Sequence, residues 1–140
     1  MMQSVIFFLF RLLAKLPLPL LHAVGNAAGS LSFYLAPKAR TQIADNLRTA
    51  GMAADDAMIK SVLRETAKGG LELPVAFFRE PQAVAGLFRE VHGWEHVEEA
   101  LAAGEGLLLI TPHIGSYDLA GRYLSEQLPF PLTAMYKPDR

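Results

Sequence analysis

The sequence contains no cysteine, which excludes disulfide bonds, thiolate metal ligands and a cysteine nucleophile. Charged residues are also scarce, at 19% of the chain, whereas soluble domains have about 25%. The net charge is −1, and lysine and arginine form no cluster. A protein that binds nucleic acid neutralises several phosphates with clustered basic residues. These absences argue against cysteine chemistry and against nucleic-acid binding.

Apolar residues are abundant and concentrate at the N-terminus. They make up 51% of a chain with room for about one domain. From residue 1 to 37 the only formal charges are Arg11 and Lys15. A helix that is apolar around its circumference must be buried in lipid or in protein. We therefore predict that residues 1–37 form hydrophobic, membrane-associating helices.

Two prolines divide this apolar segment. Pro17 and Pro19 should end a first helix, because proline lacks the backbone N–H and restricts the preceding residue. A second helix is expected from near Leu20 to Ala36; it is uncharged, but slightly short for a ~30 Å hydrocarbon core. We favour an uncleaved pair of membrane-binding helices over a signal peptide, because the charges follow the first apolar run. A single membrane span is the alternative.

Small and polar residues share one edge of the second helix. Gly25 and Gly29 have a spacing typical of close helix contact, and His22 on the same edge is interpreted as a solvated or packed histidine. Residues 38–48 should form a short helix that ends near Gly51. Its basic side either faces anionic headgroups or is simply solvated.

Asp55 is a plausible N-cap for a long helix. Gly69 and Gly70 predict that this helix breaks or that another segment packs closely against it. Glu72 beside them is interpreted as a surface or helix-packing residue. An aromatic group follows, which is more typical of a core than of an acyl-chain groove: Phe77, Phe78 and Phe88.

A short amphipathic helix is expected from Trp94 to Leu101, ended by Gly104. His92 and His96 flank its start. No third ligand stands in register with them, so we predict no metal site.

The apolar run from Leu107 to Ile110 is typical of a strand buried on both faces. A helix from about Ser116 to Gln127 follows, and Leu132 to Tyr136 has the pattern of a second strand. The sequence therefore predicts an α/β fold, in which N-terminal membrane-binding helices and a helical linker precede a right-handed βαβ unit of an incomplete sheet.

His113 follows the first predicted strand, and Asp118 lies in the first turn of the next helix. A turn at Gly115 would let the carboxylate orient the imidazole as a general base toward an external hydroxyl. Ser116 lacks the G-x-S-x-G context of a serine nucleophile. Taken alone, the pair is a weak signal, and its spacing better suits a structural role, with the histidine at a strand end and the acidic residue at a helix start.

The segment Thr111 to Leu119, TPHIGSYDL, resembles the His-x4-Asp/Glu block of the bacterial lipid A biosynthesis acyltransferases, within the wider glycerolipid acyltransferase-like group. Met135 to Pro138 is similar to the Met-Tyr-Arg/Lys-Pro block of that family. RTQIADNL at Arg40 to Leu47 and Gly93 to His96 are similar to upstream segments of the family. The resemblance covers almost the whole chain, in the family's order and spacing.

This resemblance implies transfer of a fatty acyl chain from acyl carrier protein to a hydroxyl of a lipid A precursor, at the cytoplasmic face of the bacterial inner membrane. His113 would be the general base and Asp118 its orienter, with no cofactor. Lys137 and Arg140 are candidates to hold a sugar phosphate. Backbone N–H groups near Ser116 are candidates to stabilise the oxyanion. The expected partners are membrane lipid, the lipid A precursor and acyl carrier protein.

The chain departs from the family pattern in two respects. Tyr117 and Asp118 stand where Trp-Glu is more usual, and the chain stops at Arg140 although the family continues further. Residues 38–140 are therefore expected to be the N-terminal part of a truncated catalytic domain. The alternatives are a glycerol-phosphate or lysophospholipid acyltransferase and an inactive membrane-bound fragment or scaffold.

Overall fold

A computed structural model describes residues 2–104 and 106–135. Seven helices form within these ranges: α1 (Met2–Leu13), α2 (Leu18–Leu35), α3 (Pro37–Thr49), α4 (Asp56–Phe78), α5 (Pro81–Ala85), α6 (Trp94–Ala103) and α7 (Tyr117–Gln127). The chain divides into two compact units, Met1–Arg79 and Glu80–Arg140. The functional division at residue 37 stays a prediction.

The predicted break between the first two helices is confirmed. Helix α1 ends at Leu13, and α2 begins at Leu18 with Pro19 in its first turn, where a missing N–H costs no intrahelical hydrogen bond. The Arg79 side chain donates from Nε to the Ala14 carbonyl (2.9 Å) and from Nη2 to the Leu16 carbonyl (2.8 Å). These bonds stabilise the connection, because carbonyls at a helix end lack intrahelical donors.

Among the described residues, no single helix is both long enough and apolar enough to cross a membrane. Helices α1 and α2 meet the length and composition criteria only as a pair, Ser4–Leu13 with Leu18–Leu35, bent by 117°.

Helices α2 and α4 pack in antiparallel orientation through the two predicted contact glycines. A Cβ atom added at Gly25 would lie 2.9 Å from the Cα atom of Lys68, and one added at Gly29 would lie 2.5 Å from the Cα atom of Arg64. The prediction of close helix contact is confirmed. The two backbones meet at distances that exclude any larger residue.

Polar contacts extend the same interface in both directions. The Nε2 atom of His22 lies 2.6 Å from Oε1 of Glu72, and Nε of Arg64 donates to Oγ of Ser30 at 2.7 Å. His22 and Glu72 are therefore helix-packing residues, which was one of the roles expected of each.

Helix α3 closes the first unit against these two helices. Gly51 adopts φ 71°, and the chain makes backbone bonds from Gly51 N to Arg48 O and from Met52 N to Leu47 O. This pattern is a Schellman motif, which ends the helix as predicted. The buried core of the unit joins α2, α3 and α4 through Phe33, Ala44, Leu47, Ile59 and Leu63.

Helix α4 begins as predicted but does not behave as predicted in its middle. The Asp55 side chain accepts a hydrogen bond from the Met58 backbone N–H at 2.8 Å, as an N-cap does. The helix then continues through Gly69 and Gly70 without a break, and among the described residues nothing outside the helix's own backbone lies within 4 Å of a Cβ added at either glycine. Both expected explanations of this glycine pair are wrong, since packing elsewhere along the helix outweighs the local cost.

The three clustered phenylalanines have different partners. Phe78 makes edge contacts with Phe7 (5.9 Å) and Phe10 (6.1 Å) of α1. Within the second unit, the rings of Phe88 and Tyr123 lie 4.6 Å apart. Phe77 is largely exposed. Two of the three therefore have a packing role.

The predicted βαβ unit is wrong. Within residues 106–135 only helix α7 is regular, close to its predicted bounds, and no strand or sheet forms. Leu108 and Ile110 are 78% and 88% exposed, so the apolar run is not buried on both faces. A strand depends on backbone hydrogen bonds to a neighbouring strand, and the described part of the chain supplies none. Residues 132–135 also lack regular structure, and Tyr136 lies outside the described residues.

Candidate active site

The segment before α7 turns at a glycine. Gly115 adopts φ 63°, a left-handed conformation that residues with a side chain rarely take. The Ile114 backbone N–H also donates to the Pro112 carbonyl at 2.9 Å. The chain therefore turns between His113 and Asp118, as the sequence predicted.

The turn brings the His113 ring against the ring of Tyr117. Their centroids lie 4.5 Å apart, with an interplanar angle of 59°. His113 is otherwise exposed. The aromatic contact restricts one side of the imidazole and leaves the remainder open to a reactant.

Asp118 lies half-buried in the first turn of α7. A carboxylate is favoured there, because the N-terminus of a helix carries partial positive charge. No hydrogen bond joins the side chains of His113 and Asp118 in the described parts of the chain. The two groups belong to one short turn, while their roles as base and orienter stay a prediction.

Ser116 is the N-cap residue of α7, but its side chain makes no capping bond. Its backbone carbonyl accepts from Ala120 N at 3.0 Å. Its hydroxyl Oγ is buried without a hydrogen-bond partner within the described protein, and so is Nε of Arg122. Buried polar atoms normally have partners, so these two atoms are the unsatisfied polar groups of the segment.

Sequence reasoning missed the contribution of Tyr117 and Arg122. The Nη2 atom of Arg122 lies 2.9 Å from Oε1 of Glu126 on the same helix. The spacing from Arg122 to Glu126 could have indicated this pair. The contact of Tyr117 with His113 depends on the turn at Gly115, for which the sequence has only the glycine as a signal.

Lys137 and Arg140, the candidates for phosphate binding, lie outside the described residues. Within the described ranges, no group of three or more His, Asp or Glu side chains could hold a metal ion. The turn presents an accessible imidazole, a nearby carboxylate and a helix N-terminus.

Comparison with known proteins identifies the family of the chain. The family model described as "Bacterial lipid A biosynthesis acyltransferase" matches residues 1–140. The chain belongs to this family. The resemblance noted from the sequence motifs is thereby confirmed.

A curated relative agrees with this assignment. A stretch of 51 residues, 36% of this chain, is 41% identical to a lipid A biosynthesis acyltransferase of Haemophilus influenzae. The matched stretch amounts to 16% of the length of that relative. No solved structure matches the chain.

Proposed function

We propose that the protein transfers a fatty acyl chain from acyl carrier protein to a hydroxyl of a lipid A precursor, with His113 as general base and Asp118 as its orienter. The observation that carries the proposal is the family match over residues 1–140. An accessible histidine at a glycine turn, with a carboxylate in the following helical turn, is consistent with it. The resemblance of TPHIGSYDL to the family's His-x4-Asp/Glu block assigns the roles to these two residues.

The proposed reaction is direct attack by the acceptor. The His113 imidazole takes the proton of the acceptor hydroxyl as its oxygen attacks the thioester carbonyl. Asp118 holds the imidazole in position and stabilises the imidazolium. Collapse of the tetrahedral intermediate forms the ester and expels the carrier thiolate, which takes the proton from His113. Backbone N–H groups at the start of α7, near Ser116, are the proposed stabilisers of the oxyanion.

The first unit supplies the proposed contact with a membrane. Helices α1 and α2 carry many exposed apolar side chains, an arrangement that suits a lipid interface. These side chains are Val5, Ile6, Phe7, Phe8, Leu9, Leu12, Leu20, Val24, Leu31, Tyr34 and Leu35. We place the protein at the cytoplasmic face of the bacterial inner membrane, where a lipid acceptor and a soluble acyl carrier can meet. Lys137 and Arg140 remain the candidates for a sugar phosphate of the acceptor.

Acyl transfer by the His113→Ala variant tests the proposal. The protein is assayed in membranes with acyl carrier protein as donor and a lipid A precursor as acceptor. Loss of a general base should lower kcat by about 10² to 10⁴, while membrane binding is retained. His92→Ala is the matched control, because His92 is an exposed histidine that lies outside the turn and outside the segments that resemble the family. Activity of His113→Ala within about threefold of the parent would rule out the assigned base.

A further inference from the structure

A polar pocket lies between α3 and the start of α4, in the first unit and outside the candidate active site. Its volume is about 380 Å³. Its polar lining consists of Arg40, Thr41, Arg48 and Asp56, and its apolar lining includes Ala44 and Ile59, which also belong to the buried core. The floor of the pocket is therefore packed, and exposed charged groups of both signs surround it.

Two guanidinium groups offer this pocket donors for a phosphate. Arg40 makes no ion pair with the described residues; its Cζ atom lies 5.0 Å from the centroid of the Phe33 ring. Arg48 contacts Asp45 through Nη1 at 2.9 Å, an exposed contact that engages one of its nitrogens. Each guanidinium has five N–H donors in a planar fork that suits phosphate oxygens.

The same pocket contains acceptors that suit a cation. Asp56 has no ion-pair partner in the described parts of the chain. The Thr41 hydroxyl donates to the Pro37 carbonyl at 3.1 Å, so its oxygen keeps lone pairs for an N–H donor. A ligand with a second negative charge would be repelled by Asp56. A primary ammonium close to a phosphate matches both sets of groups.

Arg40 connects the pocket to the C-terminal end of α2, where the Lys60 ammonium also lies over the rings of Phe33 (4.5 Å) and Tyr34 (5.3 Å). Arg40 contacts Phe33, and Tyr34 packs edge-on against the Phe33 ring at 5.2 Å. Leu31, Tyr34 and Leu35 are all exposed. An exposed apolar surface on the helix that Arg40 contacts suits acyl chains, which favours a lipid over a free phosphate.

We propose that this pocket binds the headgroup of a zwitterionic phospholipid with a primary amine, phosphatidylethanolamine. Arg40 and Arg48 hold its phosphate, and Asp56 accepts hydrogen bonds from its ammonium group. Choline carries the same charge but has no N–H donor, so it should bind less well. The site is a lipid contact that does not depend on the acyl-transfer proposal.

Vesicle flotation of the whole protein measures this preference. Vesicles of phosphatidylcholine are compared with vesicles in which a minor fraction is replaced by phosphatidylethanolamine or by phosphatidylglycerol. We expect phosphatidylethanolamine to tighten binding about tenfold, which corresponds to one charge-assisted hydrogen bond. Asp56→Asn should remove this preference, and Arg40→Gln should weaken binding to the same vesicles.

Two matched controls separate the pocket from general charge. Lys38→Gln removes a positive charge from the same helix, and Glu65→Gln removes a negative charge from α4; neither residue lines the pocket. Both should keep the preference, and circular dichroism should show each variant to be folded. Equal binding to the ethanolamine and choline vesicles would overturn the proposal, as would equal losses in Lys38→Gln and Arg40→Gln. Free phosphoethanolamine or inorganic phosphate that abolishes the preference at a concentration equal to that of the vesicle lipid would overturn the assignment to a lipid.

Discussion

The Nε2 atom of His22 lies 2.6 Å from Oε1 of Glu72, and this contact joins helices α2 and α4. The Glu72 side chain is only 13% exposed, and that of His22 is 34% exposed. A carboxylate with this degree of burial depends on its partner, because desolvation without a hydrogen bond is unfavourable.

Replacing Glu72 by Ala should lower the free energy of unfolding by about 1–3 kcal/mol, because the His22 contact and its share of helix packing are lost. Denaturant titration measures the change. The control is Glu65→Ala on the exposed side of the same helix, where the effect should stay within about 0.5 kcal/mol. A double-mutant cycle with His22→Ala should show coupling of at least about 0.5 kcal/mol. Additive effects would contradict the role of the pair.

Gly29→Ala should destabilise the first unit by about 1–3 kcal/mol. The added methyl would lie 2.5 Å from the Cα atom of Arg64 and 2.6 Å from the Leu63 carbonyl oxygen, so the two helix backbones would have to separate. Gly70→Ala is the matched control within α4, because no described residue outside the helix's own backbone lies within 4 Å of the new atom. That substitution should stabilise the helix by about 0.5–1 kcal/mol. Thermal unfolding should therefore show a lower Tm for Gly29→Ala and a higher Tm for Gly70→Ala.

Asp55→Ala should cost about 1 kcal/mol of stability, because the Met58 N–H loses its capping acceptor. Asp55→Asn keeps a side-chain oxygen at the same position and should restore most of the loss. The urea concentrations at the unfolding midpoints of the two variants test this. Equal midpoints for Asp55→Ala and Asp55→Asn would show that the capping hydrogen bond does not contribute to stability.

Gly115→Ala should reduce acyl transfer more than it reduces stability, a prediction that rests on the proposed function. The residue adopts φ 63°, which costs a residue with a side chain about 1–2 kcal/mol. Relief of this strain would change the turn between His113 and α7. Gly121 lies inside α7, and in the described ranges nothing beyond the helix's own backbone is within 4 Å of an added Cβ, so Gly121→Ala should leave activity unchanged. Measurements of kcat and of thermal unfolding on both variants test this prediction. A loss of activity in Gly115→Ala no larger than its loss of stability explains would contradict it.

Local patterns predicted several helix ends accurately. The prolines near residue 17, the N-cap at Asp55 and the glycine after α3 each act within one or two helical turns. Their physical causes are a missing N–H, a side-chain acceptor and a permitted left-handed conformation. The Gly25 and Gly29 spacing predicted close packing, but it did not identify α4 as the partner.

The apolar run at residues 107–110 shows where such patterns fail. Its composition suits a buried strand, but a strand also needs a neighbour with matching backbone donors and acceptors. In the described part of the chain this run has no such neighbour; it lacks regular structure and is largely exposed. The prediction from the glycine pair of α4 was wrong for the opposite reason. The helix continues through both glycines, because packing along a long helix outweighs the low helix propensity of glycine.

The sequence by itself determined where most helices begin and end, the absence of cysteine chemistry and the His-x4-Asp block that resembles the family, because these features depend on residue type and short spacing. Only the tertiary structure decided that α2 and α4 meet through Gly25, Gly29 and the His22–Glu72 contact, and that Arg40, Arg48 and Asp56 share one pocket. Those relationships join residues that are distant in the chain, and side-chain burial and helix packing specify them rather than local propensity.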